Sequence, residues 1–256
     1  MADFESVRTR LDVSYVNPEE DHPYKYFHES TFHPHYDGRF GDRILRYDEQ
    51  QAHLKALIQT YLSTMNSIGA ETWLMHGTLL GWYWNRRVMP WDSDLDVMVS
   101  EKSLHFLASY HNMTMYRFKL PAQKKTRTYL LEINPNYRED EVDDENRIDA
   151  RWIDTEIGLF IDITTLRRDR ASDDEEAMMV KDKHHYMLED IYPLRESTFE
   201  DIPVWVPYAY PDILSEEYGH EALSGTNYEH HRYDGEKQTW IPQKILTSKF
   251  DDEDDG

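Results

Sequence analysis

The chain has no cysteine among its 256 residues. Disulfides, thiolate zinc sites and a cysteine nucleophile are therefore excluded, and the composition fits a reducing compartment. Long apolar runs are also missing. The longest uncharged aromatic-rich stretch, Thr72 to Asn85, falls short of the ~18 residues of a membrane span and contains His76 and Asn85. The opening MADFESVRTR has neither the apolar centre nor the small-residue cleavage site of a secretory signal, so a cytoplasmic location is the expectation from this chain. Basic residues are scarce: 28 Lys and Arg stand against 50 Asp and Glu, a net charge of −22. Such a field repels phosphate backbones and argues against general binding of nucleic acid.

Aromatic residues, by contrast, are abundant. With 18 Tyr, 9 Phe and 7 Trp, the chain is unlike disordered sequences, which are poor in aromatics, and its length suffices for one large domain. No internal repeat is visible. Residues 1–46 read as an irregular, aromatic-rich arm packed on a domain spanning 47–246, and 247–256 as a solvated acidic tail. Leu54, Leu57, Ile58, Tyr61, Leu62, Met65 and Ile68 recur at helical spacing. Asp48 with Gln51 resembles a capping box, and Gly69 suits the left-handed end of that helix. Trp73–Met75 reads as a buried strand, His76-Gly77-Thr78 as a turn and Leu79–Trp84 as a short helix. Asp94–Val99 reads as a second strand, followed by a helix capped by Ser100. Further strands are expected at Tyr129–Ile133, Arg151–Thr155 and Gly158–Ile163, with an acidic loop at 137–147. Ser172 with Glu175 predicts a helix through about Lys181, whose end holds Lys183, His184 and His185. A last short helix is expected from Pro211 to Tyr218, before Gly219. Strands interleaved with helices indicate an α/β (α+β) domain on a mixed sheet.

Three pieces of sequence point to chemistry. In an extended strand alternate side chains share a face, so Asp92, Asp94 and Asp96 are expected to point together. Carboxylates gathered this way repel one another, and a hard cation with oxygen ligands, Mg²⁺ or Mn²⁺, relieves the repulsion. In GLFIDIT, Asp162 interrupts an apolar strand where an unpaired carboxylate is costly; the Asp94/Asp96 metal site is its economical partner. Gly77-Thr78 is a tight turn whose amides and hydroxyl suit a phosphate oxygen. This order of strand, Gly-Thr, helix, Asp-x-Asp and a later lone Asp resembles the nucleotidyltransferase fold.

A closer likeness lies in HGTLLG followed by MPWDSDLD, which resembles the LicD family. That family includes bacterial phosphocholine transferases, fukutin and fukutin-related protein, and fungal mannosylphosphate-transfer proteins. The fungal branch is nearest, through KYFHES, ETWLMHGTLLGWYWN, INPNY, IDARWID, GLFIDIT, YPLRESTFEDIPVWVP and LSEEYG, so the likeness runs from about Tyr24 to Arg232. Bacterial members usually carry Arg after the LLG turn, where this chain has Trp82 and Trp84. The resemblance implies a metal-dependent phosphotransferase with a nucleotidyltransferase-like fold. Its substrates would be a CDP- or GDP-linked donor and an acceptor hydroxyl on a glycan or small metabolite. Asp94, Asp96 and Asp162 would be catalytic, with Asp92 as a further metal or outer ligand. Asp162 would bind metal and help remove the acceptor proton. A fungal glycan role would suggest the Golgi instead of the cytoplasm.

The remaining candidates each carry two readings. Arg86 and Arg87 fit either donor phosphates or an inert surface loop. Lys124, Lys125 and Arg127 form a basic patch, read first as a solvated loop and second as a phosphate clamp. His230 and His231 fit a structural or surface role better than metal binding. Trp82, Tyr83 and Trp84 read as core first and as a stacking platform for a base or sugar second.

Overall fold

The computed structural model describes residues 25–120, 125–139 and 142–243; the acidic tail, Lys124 and the first part of the arm lie outside them. Helix α1, Tyr47–Ile68, buries Leu54, Leu57, Ile58, Tyr61, Leu62 and Met65 along its apolar stripe. It ends at Gly69, which takes the left-handed conformation (φ 73°) and donates its N–H to Met65. The expected Asp48–Gln51 capping box does not form. Arg46 is the N-cap, no side chain caps the helix, and Gln51 instead donates to the carbonyls of Pro90 and Asp92.

The elements that follow are β1 Thr72–Leu74, α2 His76–Asn85, β2 Asp96–Ser100, α3 Glu101–Tyr110, β3 Thr114–Leu120, β4 Lys125–Ile133, β5 Ala150–Asp154 and β6 Phe160–Arg168. Next come β7 Ala177–Met179, β8 His185–Met187, the single turn α4 Leu188–Ile191, β9 Arg195–Phe199, β10 Ile202–Val206 and α5 Tyr210–Tyr218. A small sheet of β11 Asn227–Tyr228, β12 His231–Asp234 and β13 Thr239–Pro242 closes the described chain. The main sheet runs β3-β4-β5-β6-β2-β1-β10-β9, with β7 and β8 continuing from β6. Its centre is mixed: β2 pairs with β6 in parallel, and with β1 antiparallel. The expected mixed-sheet α/β class is the observed one.

β5 is buried along its whole length and β2 along its interior, as central strands covered on both faces are. Helix α1 packs on β5, β6 and β10, and α3 on β2 and β6. Trp73, Trp152, Tyr61 and Tyr129 are among the largest fully buried side chains, so much of the aromatic load is core. The arm is tied to this body by the Tyr36–Leu159 bridge and by Arg39, which pairs with Asp37 and Glu132.

Three local expectations are corrected. The helix predicted from Ser172 to Lys181 is a turn leading into β7; Ala177 to Met179 pair with β8 and the end of β6. His184 therefore sits in the β7–β8 connection and His185 opens β8. The turn at His76-Gly77-Thr78 is the first turn of α2 itself. Finally, β2 begins at Asp96, so Asp92 and Asp94 precede the strand and share no strand face with it.

Candidate active site

Two adjacent strands put Asp96 and Asp162 together. In the parallel β2–β6 register these residues are direct partners, and in-register neighbours in a parallel pair project from the same face about 4.8 Å apart. The backbone locks this arrangement: Asp162 N–H donates to Leu95 O (3.0 Å), and Asp96 N–H donates to Thr78 Oγ1 (2.9 Å). Thr78 is buried, so its hydroxyl oxygen ties the first turn of α2 to the start of β2.

Asp92 and Asp94 arrive from a loop, held from both sides. Gln51 of α1 grips the Pro90 and Asp92 carbonyls. From the arm, His35 contacts Ser93 Oγ (2.7 Å) and lies 3.6 Å from Asp94 Oδ2. Burial, then the charges of Asp94 and Asp96, push the Asp92 carboxyl well above the usual range. Asp96 is pushed up to about 8, mainly by burial, with His76 opposing and Asp94, Asp162 and Glu217 adding. Burial also raises Asp162, against the restraint of Arg151. The four aspartates thus act on one another as a single cluster, although only two share a strand face.

Arg151 is the counter-charge of Asp162. Its Nε donates to Asp162 Oδ1 (2.7 Å) and its Nη2 to Glu29 Oε1 of the arm (2.6 Å). The guanidinium lies over the Phe160 ring at 3.7 Å and the Phe27 ring at 4.8 Å. The partner expected for Asp162 therefore includes a buried cation. In the sequence this pair is signalled by Arg151 placed inside the strand ARWID, as Asp162 is placed inside FIDIT.

The N-terminus of α2 borders the cluster. A Cβ on Gly77 would lie 3.9 Å from Asp92 Oδ2 and 3.9 Å from the Tyr218 hydroxyl, so this glycine faces the carboxylates across open contact distances. First-turn amides have no intrahelical acceptor, and the helix end is positive. Next to it, His76 Nδ1 lies 2.7 Å from Glu217 Oε1 of α5. Burial works against the His76 imidazolium, but Glu217, Asp96 and Asp182 outweigh it and raise the group to about 9. Among the described residues, one His/Asp/Glu group brings three ligand atoms within 4.8 Å of one another: His76, Asp182 and His184. The helix-start pattern at Ser172 and Glu175 masks in the sequence the β7–β8 turn that carries His184.

Arg86 and Arg87 follow the far end of α2, where both are exposed. Arg86 folds back to donate to Trp82 O (2.5 Å), over the Trp82 ring. Arg127 is bound by Asp154 and Glu156 (3.1 Å). Trp82, Tyr83 and Trp84 donate to Ser197 Oγ, Leu223 O and Ala222 O, which assigns them to packing between α2 and the later chain. His231 lies against Trp91.

Residues 69–209 match the family described as "LicD/FKTN/FKRP, nucleotidyltransferase domain". The chain belongs to the LicD family. The LicD match contains β1, α2, β2 and β6, hence Asp92, Asp94, Asp96 and Asp162. The chain is also similar to two proteins of Saccharomyces cerevisiae. It is 33% identical over 159 residues to Mannosyltransferase regulator 4, covering 56% of this chain and 13% of that protein. It is 34% identical over 137 residues to Mannosyltransferase regulator 14, covering 52% and 14%. The matched region is thus a small part of each relative. Among the described residues, no helix is long and apolar enough to cross a membrane.

The donor chemistry of this LicD cluster fits a hard divalent ion. Asp92, Asp94 and Asp96 offer only oxygen, and burial with mutual repulsion raises Asp92 and Asp96, the strain a cation with oxygen ligands removes.

Proposed function

We propose that this chain is a metal-dependent phosphotransferase. It would take a CDP- or GDP-linked donor and pass the phosphorylated alcohol, a sugar phosphate or phosphocholine, to a hydroxyl on a glycan or small metabolite. The observation that carries this reading is Asp96 beside Asp162 in the β2–β6 register, with Asp92 and Asp94 acting on the same site. The mannosyl names of the yeast relatives favour a sugar phosphate and a glycan acceptor. A glycan acceptor in turn favours the Golgi over the cytoplasm as the working compartment.

In this reading Asp92, Asp94 and Asp96, with Asp162 beside Asp96, would hold Mg²⁺ or Mn²⁺. The ion would neutralise the diphosphate and the leaving phosphate. The α2 terminus at Gly77 attracts the donor phosphates through its unpaired amides and positive end. Arg151 fixes Asp162 through Oδ1, and the other carboxylate oxygen receives the acceptor's proton. A raised carboxyl is a stronger base near neutral pH. The acceptor oxygen bonds to the distal phosphorus, the diphosphate bridge breaks, and nucleoside monophosphate leaves.

A second reading, a non-catalytic regulator of glycan phosphorylation, is favoured by two observations. The yeast relatives are named as regulators, and Asp162 already has a counter-charge in Arg151. One assay separates the readings: the protein with Mn²⁺ and a panel of CDP- and GDP-linked donors. Release of nucleoside monophosphate with a phosphorylated acceptor is the expected result. A nucleotide-labelled acceptor would indicate nucleotidyl transfer instead. Absence of turnover with every donor, in protein that still binds donor, would establish the regulator.

A further inference from the structure

The aspartate cluster uses only oxygen donors, yet a chemically different group lies beside it. His76, Asp182 and His184 bring one ligand atom each within 4.8 Å of one another. We propose that these three residues bind a borderline divalent cation, Zn²⁺, at a site separate from the Asp92/Asp94/Asp96/Asp162 cluster.

Two imidazoles and one carboxylate are a donor set that Zn²⁺ accepts readily, whereas Mg²⁺ prefers carboxylates, carbonyls and water. The ligands are placed by two independent pieces of structure. His76 is the first residue of α2, held at φ 52°, a backbone region few non-glycine residues occupy. Asp182 and His184 lie on the connection between β7 and β8. There Asp182 Oδ1 accepts both the backbone N–H of His184 (3.1 Å) and a contact from its ring Nδ1 (2.9 Å), which sets the two ligands side by side. The His76 and His184 rings are 5.2 Å apart between centroids.

His76 also has the outer partner of a metal-binding histidine. Its Nδ1 is 2.7 Å from Glu217 Oε1, which leaves Nε2 as the nitrogen for the ion. Ligating histidines almost always spend their second nitrogen on a carboxylate, carbonyl or water in this way. Three protein ligands leave a fourth position for water or a substrate oxygen. The site also joins the β7–β8 turn to α2, the helix that carries Gly77 and Thr78. None of this depends on the phosphotransfer reading.

The test is equilibrium dialysis of the untagged full chain against Zn²⁺, followed by elemental analysis. One equivalent is expected in the wild type. It should be lost in His184→Ala and in Asp182→Ala, both on the β7–β8 connection. It should persist in Asp96→Asn and Asp162→Asn. Glu217→Gln should weaken binding about 10–100-fold without abolishing it, the usual cost of an outer partner. Replacement by Co²⁺ adds a spectroscopic arm: the visible bands of nitrogen-ligated cobalt should vanish in His184→Ala. Zn²⁺ retained at full occupancy in both His184→Ala and Asp182→Ala would overturn the site, as would an equivalent lost only from Asp96→Asn.

Discussion

Asp96 and His76 respond to pH in the same direction, although one is an acid and the other a base. Asp96 is raised to about 8 in the fold from about 3.9 in an unfolded chain. Between those values the unfolded chain releases a proton that the folded protein keeps, so stability falls as pH rises. His76 is raised to about 9 from about 6.5. Its contribution is complete below about 6.5 and disappears as pH climbs through 9. In EDTA the melting temperature should therefore decline steadily from pH 6.5 to 8, measured by circular dichroism. Asp96→Asn should make that decline shallower, leaving the share of His76, while abolishing phosphotransfer. Wild-type turnover in Asp96→Asn would remove this residue from the site. Arg151 is the other decisive residue. Arg151→Met leaves Asp162 and Glu29 without their buried cation, which should cost about 3–5 kcal/mol in denaturant unfolding. Adding Asp162→Asn should recover part of that loss.

The motif HGTLLG contains two glycines with opposite duties in helix α2. A Cβ on Gly81 would come within 2.6 Å of the Arg87 carbonyl, so this glycine lets the chain after α2 turn back toward Asp92. Gly81→Ala should destabilise by about 1–3 kcal/mol, as overpacking does, read from the denaturation midpoint. Gly77 meets nothing closer than 3.9 Å. Gly77→Ala should leave stability unchanged or raise it by up to about 1 kcal/mol through helix propensity. Gly77→Val, which fills the space before Asp92, should weaken donor binding in a titration with little effect on melting. Much of this layer was legible in advance. α1, β1, the Ser100-capped α3 and β6 follow from periodicity, capping and apolar runs. β7 was not, because Ser172 and Glu175 carry a helix-start pattern that pairing with β6 and β8 overrides.

At the scale of the whole molecule, a net charge of −22 opposes a diphosphate donor, so attraction must be local. Calorimetry with a GDP- or CDP-linked donor should show binding with Mn²⁺ and none after EDTA, even at low salt where long-range fields reach farthest. Tight binding that survives chelation would contradict a metal-held diphosphate. The same field predicts no measurable affinity for DNA or RNA at physiological salt.

The residue types of the aspartate cluster, its order along the chain and the α/β class were determined by local sequence alone. Lone charges in apolar strands and helical or alternating spacing are local signals. Only tertiary structure decided that Asp96 faces Asp162, because parallel register joins strands separated by more than sixty residues and local sequence does not encode it. It also decided that Asp92 and Asp94 enter from a loop held by His35 and Gln51. The same holds for the cation of Asp162, Arg151, and for His76 meeting Asp182 and His184 across the fold. Burial sets the charge state of each of these groups, and burial exists only once the chain has packed.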